Sequence, residues 1–124
     1  MAKRESNFNP EQISQDGHDY GLMQIRDINH EYWRKALGMD LDYLNPYDNV
    51  LVAIKVIGGL SEKYDGDERT VLMCYNMGEN KAMNRIRNGQ TTSDYAEEVI
   101  AIRDELRSES WNQKNEREYQ QSEF

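Results

Sequence analysis

The clearest hydrophobic pattern in this chain lies near its C-terminus. Tyr95, Val99, Ile102 and Leu106 follow one another at intervals of four, three and four residues. This spacing places side chains on one face of an α-helix, so it predicts a helix with an apolar stripe. No segment alternates apolar and polar residues with β-branched side chains, as a half-buried strand would. The pattern as a whole therefore predicts an all-α fold.

Two more helices are predicted in the first half of the chain. One begins at Asp27 and ends at Gly38, and its apolar positions are Ile28, Tyr32, Trp33, Ala36 and Leu37. After a turn through Asn45-Pro46, Asp48 is the expected N-cap of a long helix. Its predicted stripe comprises Val50, Ile54, Ile57 and Tyr64, widened by Leu51 and Leu60. Gly58-Gly59 within it predicts close approach of a neighbouring helix.

Turn residues divide the second half of the chain into separate predicted helices. Asp65-Gly66-Asp67 is a turn with an N-cap for a helix through Val71, Leu72, Cys74 and Tyr75, which Gly78 ends. A short helix with Ala82, Met83 and Ile86 follows and closes at Gly89. Residues 7–20 are polar and predict an ordered loop. Residues 1–110 are expected to form one domain, and the polar residues 111–124 a frayed or disordered tail.

Composition narrows the possible functions. The chain has 124 residues, a net charge of −8, one cysteine and two histidines. Such a charge disfavours nucleic acid as a partner, and so few Cys and His residues predict neither a metal site nor a cofactor. No apolar stretch approaches the ~20 residues that span a bilayer. The start, Met1-Ala2-Lys3-Arg4, lacks the apolar segment of a signal peptide.

Four short motifs carry a resemblance to a known family. They are Glu5-Ser6-Asn7-Phe8-Asn9-Pro10, Gly21-Leu22-Met23-Gln24, Cys74-Tyr75-Asn76-Met77-Gly78 and Tyr95. In this order and at these separations they resemble the lysozyme-like catalytic domain of soluble lytic transglycosylases (SLT) and goose-type lysozymes. The resemblance covers roughly residues 4–106. It implies an all-α, lysozyme-like helical domain that needs no metal or cofactor.

The resemblance singles out Glu5 among 23 acidic residues. In the family one Glu protonates the β-1,4 bond between N-acetylmuramic acid (MurNAc) and N-acetylglucosamine (GlcNAc). As a carboxylate it then takes the proton of the muramic 6-hydroxyl, which attacks its own anomeric carbon and leaves a 1,6-anhydro end. A carboxyl group with this role must be protonated near neutral pH, which requires burial.

The same resemblance implies a set of substrate-binding residues: Ser6, Ser14, Met23, Gln24, Tyr75, Asn76 and Tyr95. Some of them have other readings. Ser6 is equally suited to bond its own helix backbone, Met23 is a common core residue, and Tyr95 also belongs to an apolar stripe. The chain departs from the family's Ala-Tyr-Asn-Ala-Gly, because Cys74 and Met77 stand at the two Ala positions.

Several alternatives stay open. Asp16 or Asp19 is a candidate for activating water, which would make the protein a hydrolase of the goose-type lysozyme kind. Only four residues precede Glu5, whereas the family has a full helix there. The resemblance therefore leads us to expect that most of the N-terminal catalytic helix is missing from this chain and comes from a larger parent protein or a partner. The alternative is a non-catalytic peptidoglycan-binding remnant. Action on peptidoglycan glycan strands places the expected site of action at the bacterial cell wall, in the periplasm or outside the cell.

Overall fold

The computed structural model describes residues 1–122, with side chains up to residue 118. The described helices are α1 (Ala2–Ser6), α2 (His30–Leu37), α3 (Pro46–Lys63), α4 (Glu68–Met77), α5 (Glu79–Arg87) and α6 (Asp94–Ser122), with a short 3-10 helix over Asp27–Asn29. The prediction of an all-α fold is confirmed. A small antiparallel hairpin of β1 (Asp19–Tyr20) and β2 (Ile25–Arg26) was not predicted, because strands of two residues are too short to show an alternating pattern.

The helix boundaries follow local signals, with one error in the prediction. Gly38 ends α2 in the left-handed conformation with φ 62°, and the carboxylate of Asp67 caps α4 by accepting the Thr70 N–H at 3.2 Å. The N-cap of α3, however, is Asn45 and not Asp48. The Asn45 side chain accepts the N–H groups of Tyr47 and Asp48, because Pro46 occupies the first helical position, where its missing N–H costs nothing.

The predicted apolar face of α3 is wrong in part. The helix buries Asn49, Val52 and Ala53, whereas Ile54 is 60% exposed. Gly58 and Gly59 are exposed and have no neighbouring group within contact distance, so they do not serve helix packing. α3 packs against the hairpin and α4, and these neighbours select a face that hydrophobicity alone did not indicate.

The apolar stripe predicted around α2 is also buried only in part. Trp33 and Leu37 pack against the core, whereas Ile28 and Tyr32 are 81% and 64% exposed. Helical spacing places these residues on one face of the helix, but the segments that pack against α2 cover only the part of that face that carries Trp33 and Leu37.

Two buried clusters form the core. The helical cluster joins α4, α5 and α6, and consists of Leu72, Met73, Cys74, Ala82, Tyr95, Ala96 and Val99. The loop cluster joins the hairpin, the segment before α3 and α3 itself, and consists of Met23, Ile25, Leu41, Tyr43, Val52 and Ala53. Met1 packs against both clusters. α1 therefore lies where the two clusters meet.

The polar segment expected to be a disordered tail is helical as far as it is described. α6 continues without a break to Ser122, and most of its side chains from residue 111 to residue 118 are exposed. The Glu-, Gln- and Arg-rich composition has adequate helix propensity, and propensity alone carries the helix past the core. The boundary at residue 110 stays a prediction, and residues 123–124 lie outside the described part. Within that part no helix is long and apolar enough to cross a membrane.

Candidate active site

A cleft of about 500 Å³ opens beside α1 and brings together residues from most of the chain. Its lining residues are Glu5, Asp19, Gln24, Ile25, Arg26, Asn29, Trp33, Val56, Cys74, Tyr75, Asn76, Met77 and Gly78. They come from α1, the hairpin, α2, α3 and α4. Four of the residues implied by the sequence motifs thus share this cleft: Glu5, Gln24, Tyr75 and Asn76.

Glu5 lies in the last turn of α1, between the cleft and α6. Its side chain is partly buried, and the hydroxyl group of Tyr95 donates a hydrogen bond to Glu5 Oε1. Tyr95 is a buried member of the helical cluster, 5% exposed. Its ring packs in the core while its hydroxyl group bonds the candidate acid, and its proposed contact with substrate stays a prediction.

Burial favours the protonated form of Glu5. Loss of hydration raises the pKa of this carboxyl group, and the negative charge of Asp19 raises it further. The hydrogen bond from Tyr95, the Arg4 guanidinium and the N-terminal ammonium group act in the opposite direction. Since desolvation is the largest of these effects, the pKa of Glu5 is raised above its ordinary value. A raised pKa is what a general acid near neutral pH requires.

The two tyrosines near Glu5 are held in their neutral form. Burial, followed by the proximity of Glu5, raises the pKa of Tyr75 and that of Tyr95. Each phenol therefore keeps its proton and acts as a hydrogen-bond donor. The Tyr75 hydroxyl group donates to the carbonyl oxygen of Met23 at 2.7 Å, which ties α4 to the turn that follows β1.

That turn, residues 21–24, forms one wall of the site. Gly21 has φ 78°, and a Cβ atom there would lie 2.3 Å from Asn49 Nδ2 and 2.4 Å from the Tyr43 carbonyl oxygen. Only glycine fits this conformation and this close approach. Gln24 lies in the left-handed region with φ 51°, and its amide donates to the carbonyl groups of Gln12 and Gly21. The side chain of Gln24 is thus fixed where it lines the cleft.

Ser6 and Met23 support the cleft from behind. The buried Ser6 hydroxyl group lies 2.8 Å from the Leu22 carbonyl oxygen and 3.1 Å from that of Ala2, so it connects α1 to the turn. Met23 is 7% exposed and belongs to the loop cluster. Neither residue lines the cleft, and their proposed contacts with substrate stay a prediction.

Ser14 lies in the polar loop before the hairpin, away from the cleft lining. Its hydroxyl group donates to Asp16 at 2.5 Å and accepts the Asp19 N–H at 2.9 Å. These bonds shape the loop that carries β1. Substrate binding by Ser14 likewise stays a prediction.

The two candidate second carboxylates differ in position. Asp19 lines the cleft with Glu5, and Arg26 Nη1 lies 3.4 Å from it. Asp16 does not line the cleft, and hydrogen bonds from the Ser14 hydroxyl group and the His18 N–H lower its pKa. Of the two, only Asp19 faces the same space as Glu5.

Sequence reasoning missed three polar or aromatic residues of the cleft. Arg26 and Asn29 lie two and five residues after Gln24, and Trp33 was assigned only to a helical stripe. Their position two to nine residues after Gln24 was a signal, since a segment that leads away from Gln24 keeps its first residues near the cleft. Among the described residues there is no cluster of three or more side chains suited to hold a metal ion.

Comparisons with known proteins show the family of this chain. The model of the transglycosylase SLT domain matches residues 1–97. A curated protein named peptidoglycan transglycosylase gp16, from Escherichia phage T7, is 34% identical over 102 residues, covering 77% of this chain but 7% of that protein. No solved structure gives a significant match. The family match spans most of the chain and includes Glu5, the cleft and Tyr95, so the chain belongs to the transglycosylase SLT domain family.

Proposed function

We propose that this domain is a peptidoglycan lytic transglycosylase that cleaves the β-1,4 bond between MurNAc and GlcNAc and forms 1,6-anhydro-MurNAc ends. The observation that carries the proposal is one partly buried carboxyl group, Glu5, beside the cleft with a Tyr95 hydroxyl group bonded to it. Membership of the SLT family supports it, as does the name of the phage relative.

In the proposed reaction Glu5 acts first as an acid. Its proton passes to the glycosidic oxygen, the bond to the muramic anomeric carbon breaks, and the GlcNAc end leaves with a hydroxyl group. The muramic ring carries the resulting positive charge. Glu5 is now a carboxylate, and the hydrogen bond from Tyr95 stabilises this charged form, as the direction of its effect on the Glu5 pKa indicates.

Glu5 then acts as a base. It takes the proton of the muramic 6-hydroxyl group while that oxygen bonds to the anomeric carbon, which closes the anhydro ring and restores the acid. Gln24 and Asn76 line the cleft and carry amide groups. The Nε2 group of Gln24 is already bonded to two carbonyl groups, so its oxygen is left to accept a hydrogen bond from substrate. We assign Gln24 and Asn76 to the N-acetyl groups of the glycan, with Tyr75 and Tyr95 placed around Glu5 and with Ser6, Ser14 and Met23 supporting the wall.

The alternative reaction is hydrolysis, as in goose-type lysozymes. It is favoured by Asp19, which lines the same cleft as Glu5, since hydrolysis requires a second carboxylate to activate water. Asp16 is the weaker candidate because it does not line the cleft and its side chain accepts the Ser14 hydroxyl group. The product distinguishes the two reactions, since hydrolysis leaves a reducing MurNAc end and the transglycosylase an anhydro end.

The proposed substrate sets the place of action at the bacterial cell wall, in the periplasm or outside the cell. The chain spans 7% of the length of its phage relative, and we propose that it works as part of a larger parent protein. In that setting the parent protein, or a partner, would supply further contacts around α1.

The test compares the wild-type protein with Glu5→Gln on purified peptidoglycan, with fragments analysed by mass spectrometry. We expect Glu5→Gln to lower the rate about 10²–10⁴-fold, the usual contribution of a general acid or base. Glu11→Gln is the matched control, because Glu11 is exposed and lies outside the cleft.

Each outcome has a defined meaning. Anhydro-MurNAc ends that depend on Glu5 support the proposal, and reducing ends that depend on Glu5 support the hydrolase. Cleavage that survives Glu5→Gln contradicts both. Glycan binding without cleavage, unchanged by Glu5→Gln, identifies a non-catalytic binding module.

A further inference from the structure

Asn49 is the polar side chain that lies deepest in the described part of the protein. It is 0% exposed and is located in the first turns of α3. A primary amide in the core costs free energy unless its donors and acceptor are bonded. The sequence motifs gave it no role, and it is not in contact with the cleft.

All of the polar atoms of Asn49 are bonded, and each bond reaches another segment. Its Oδ1 accepts the Met23 N–H at 2.8 Å. Its Nδ2 donates to the Tyr20 carbonyl oxygen at 2.8 Å and to the Tyr43 carbonyl oxygen at 2.8 Å. Asn49 therefore connects both ends of the 21–24 turn to the segment that precedes α3.

The 21–24 turn, which Asn49 holds, is bonded to two residues beside Glu5, Ser6 and Tyr75. Its Leu22 carbonyl accepts from Ser6, the residue after Glu5 in α1. Its Met23 carbonyl accepts from Tyr75, whose pKa reflects the nearby Glu5 charge. A Cβ atom at Gly21 would clash with Asn49 Nδ2, so the turn packs directly against the amide.

We propose that Asn49 is a positioning residue for Glu5: through the 21–24 turn, its amide fixes the wall that keeps water from the carboxyl group and places Gln24 in the cleft. This inference rests on the proposed function of Glu5 and extends it to a residue remote from the substrate. The side-chain chemistry required is narrow. An aspartate at this place keeps the shape and the acceptor but, when ionised, has no proton to donate to the two carbonyl groups.

The experiment compares Asn49→Asp and Asn49→Ser with the wild type, with Asn45→Ala as the matched control. Asn45 caps the same helix, so its loss costs stability but does not touch the turn. We expect Asn49→Asp to lower kcat/KM about 100-fold, as a displacement of about 1 Å in a catalytic site does. Part of the loss should fall on kcat, because Glu5 is less protonated, and part on KM, because Gln24 is displaced from the cleft. Asn45→Ala should retain the wild-type kcat/KM below its unfolding temperature.

A second readout does not depend on turnover. The side-chain carboxyl carbon of Glu5 is titrated by NMR in each variant. The groups facing Glu5 are unchanged by the substitution: Arg4, the N-terminal ammonium group, Asp19, Tyr75 and Tyr95. An opened turn readmits water, so the Glu5 pKa should fall toward its ordinary value in Asn49→Ser, which adds no charge, and stay raised in Asn45→Ala. The carboxylate of Asn49→Asp would itself raise the Glu5 pKa, so that variant is assessed by kcat/KM.

The outcomes separate this inference from the proposed function. A lowered Glu5 pKa in folded Asn49→Ser supports the positioning role even if the wild type cleaves no peptidoglycan. An unchanged Glu5 pKa together with an unchanged kcat/KM overturns it. Failure of both variants to fold also overturns it, since Asn49 would then determine folding and not the geometry of the cleft.

Discussion

The helical cluster and the loop cluster differ in polarity and in what they contribute to the protein. The helical cluster is almost wholly apolar, with Met73, Ala82 and Ala96 each at 0% exposure. The loop cluster surrounds an equally buried amide, Asn49, and much of its backbone is hydrogen-bonded by side chains. The first gains stability from burial alone. The second gains a defined conformation, because a buried polar group tolerates only arrangements that bond it.

Glu5 lies at the junction and depends on both regions. Tyr95 reaches it from the helical cluster, and the turn held by Asn49 reaches it from the loop cluster through Ser6 and Tyr75. The environment of Glu5 is therefore set jointly by the two clusters, whereas the buried apolar side chains of the helical cluster chiefly contribute stability. Changes in the helical cluster should then alter stability first, and changes near the junction should alter chemistry first.

The largest expected effect is on stability, from Met73→Ala. Deleting this fully buried side chain should lower the free energy of unfolding by about 2–5 kcal/mol. The pH dependence of peptidoglycan cleavage, measured where the variant is still folded, should be that of the wild type. Met39→Ala, at a partly exposed methionine, is the control in denaturant titrations. A shifted pH profile in Met73→Ala would show that the two regions are not separable.

Tyr95→Phe keeps the packing of the helical cluster and removes only the bond to Glu5. Because this bond lowers the Glu5 pKa, its loss should raise that pKa. The proposed reaction requires the acid form of Glu5, which is lost as pH rises through the pKa, so the alkaline limb of kcat/KM should move to higher pH. The carboxylate formed in the reaction also loses a donor, which should cost about 10-fold in rate, or about 1.4 kcal/mol. Tyr47→Phe, at an exposed tyrosine, should change neither quantity.

Asp19→Asn tests the charge that the hairpin contributes to the junction. Asp19 raises the Glu5 pKa, so its neutralisation should lower that pKa and move the alkaline limb to lower pH, the opposite of Tyr95→Phe. The rate near neutral pH should fall a few-fold, about 1 kcal/mol or less. Asp16→Asn is the control, since Asp16 lies outside the cleft lining. An equal shift in both variants would contradict a local role, and a loss of reducing ends in Asp19→Asn alone would favour the hydrolase.

The smallest effect is expected from Arg4→Gln. Arg4 pairs with Glu98 on α6, and the two side chains are 46% and 54% exposed. An exposed ion pair contributes about 0.2–1 kcal/mol and is screened by salt. Denaturant titrations at low and high salt should show a small loss of stability that disappears at high salt. A loss that persists at high salt would mean that α1 depends on this surface contact more than on the buried junction.

The two clusters also differ in how well the sequence predicts them. Val99 and Tyr95 of α6, and the Asp67 cap of α4, follow from helical spacing and capping, because these signals are local. The face of α3 did not follow, since Ile54 is more hydrophobic than Asn49 yet is exposed while Asn49 is buried. The hairpin was missed, and with it the positions of Arg26 and Asn29. The buried face of α3 depends on partners distant in the chain, whereas the hairpin is local but its strands are too short to show a pattern.

Periodicity, turn residues and four motifs are properties of the chain, and they were sufficient to predict the helical architecture, the family and Glu5 as the candidate acid. The groups that surround Glu5 became known only from the tertiary structure. The Tyr95 bond spans 90 positions, and the Asn49 bond to Met23 spans 26. The pKa of a carboxyl group depends on its hydration and on nearby charges. Those are set by packing among remote segments, and no local pattern encodes them.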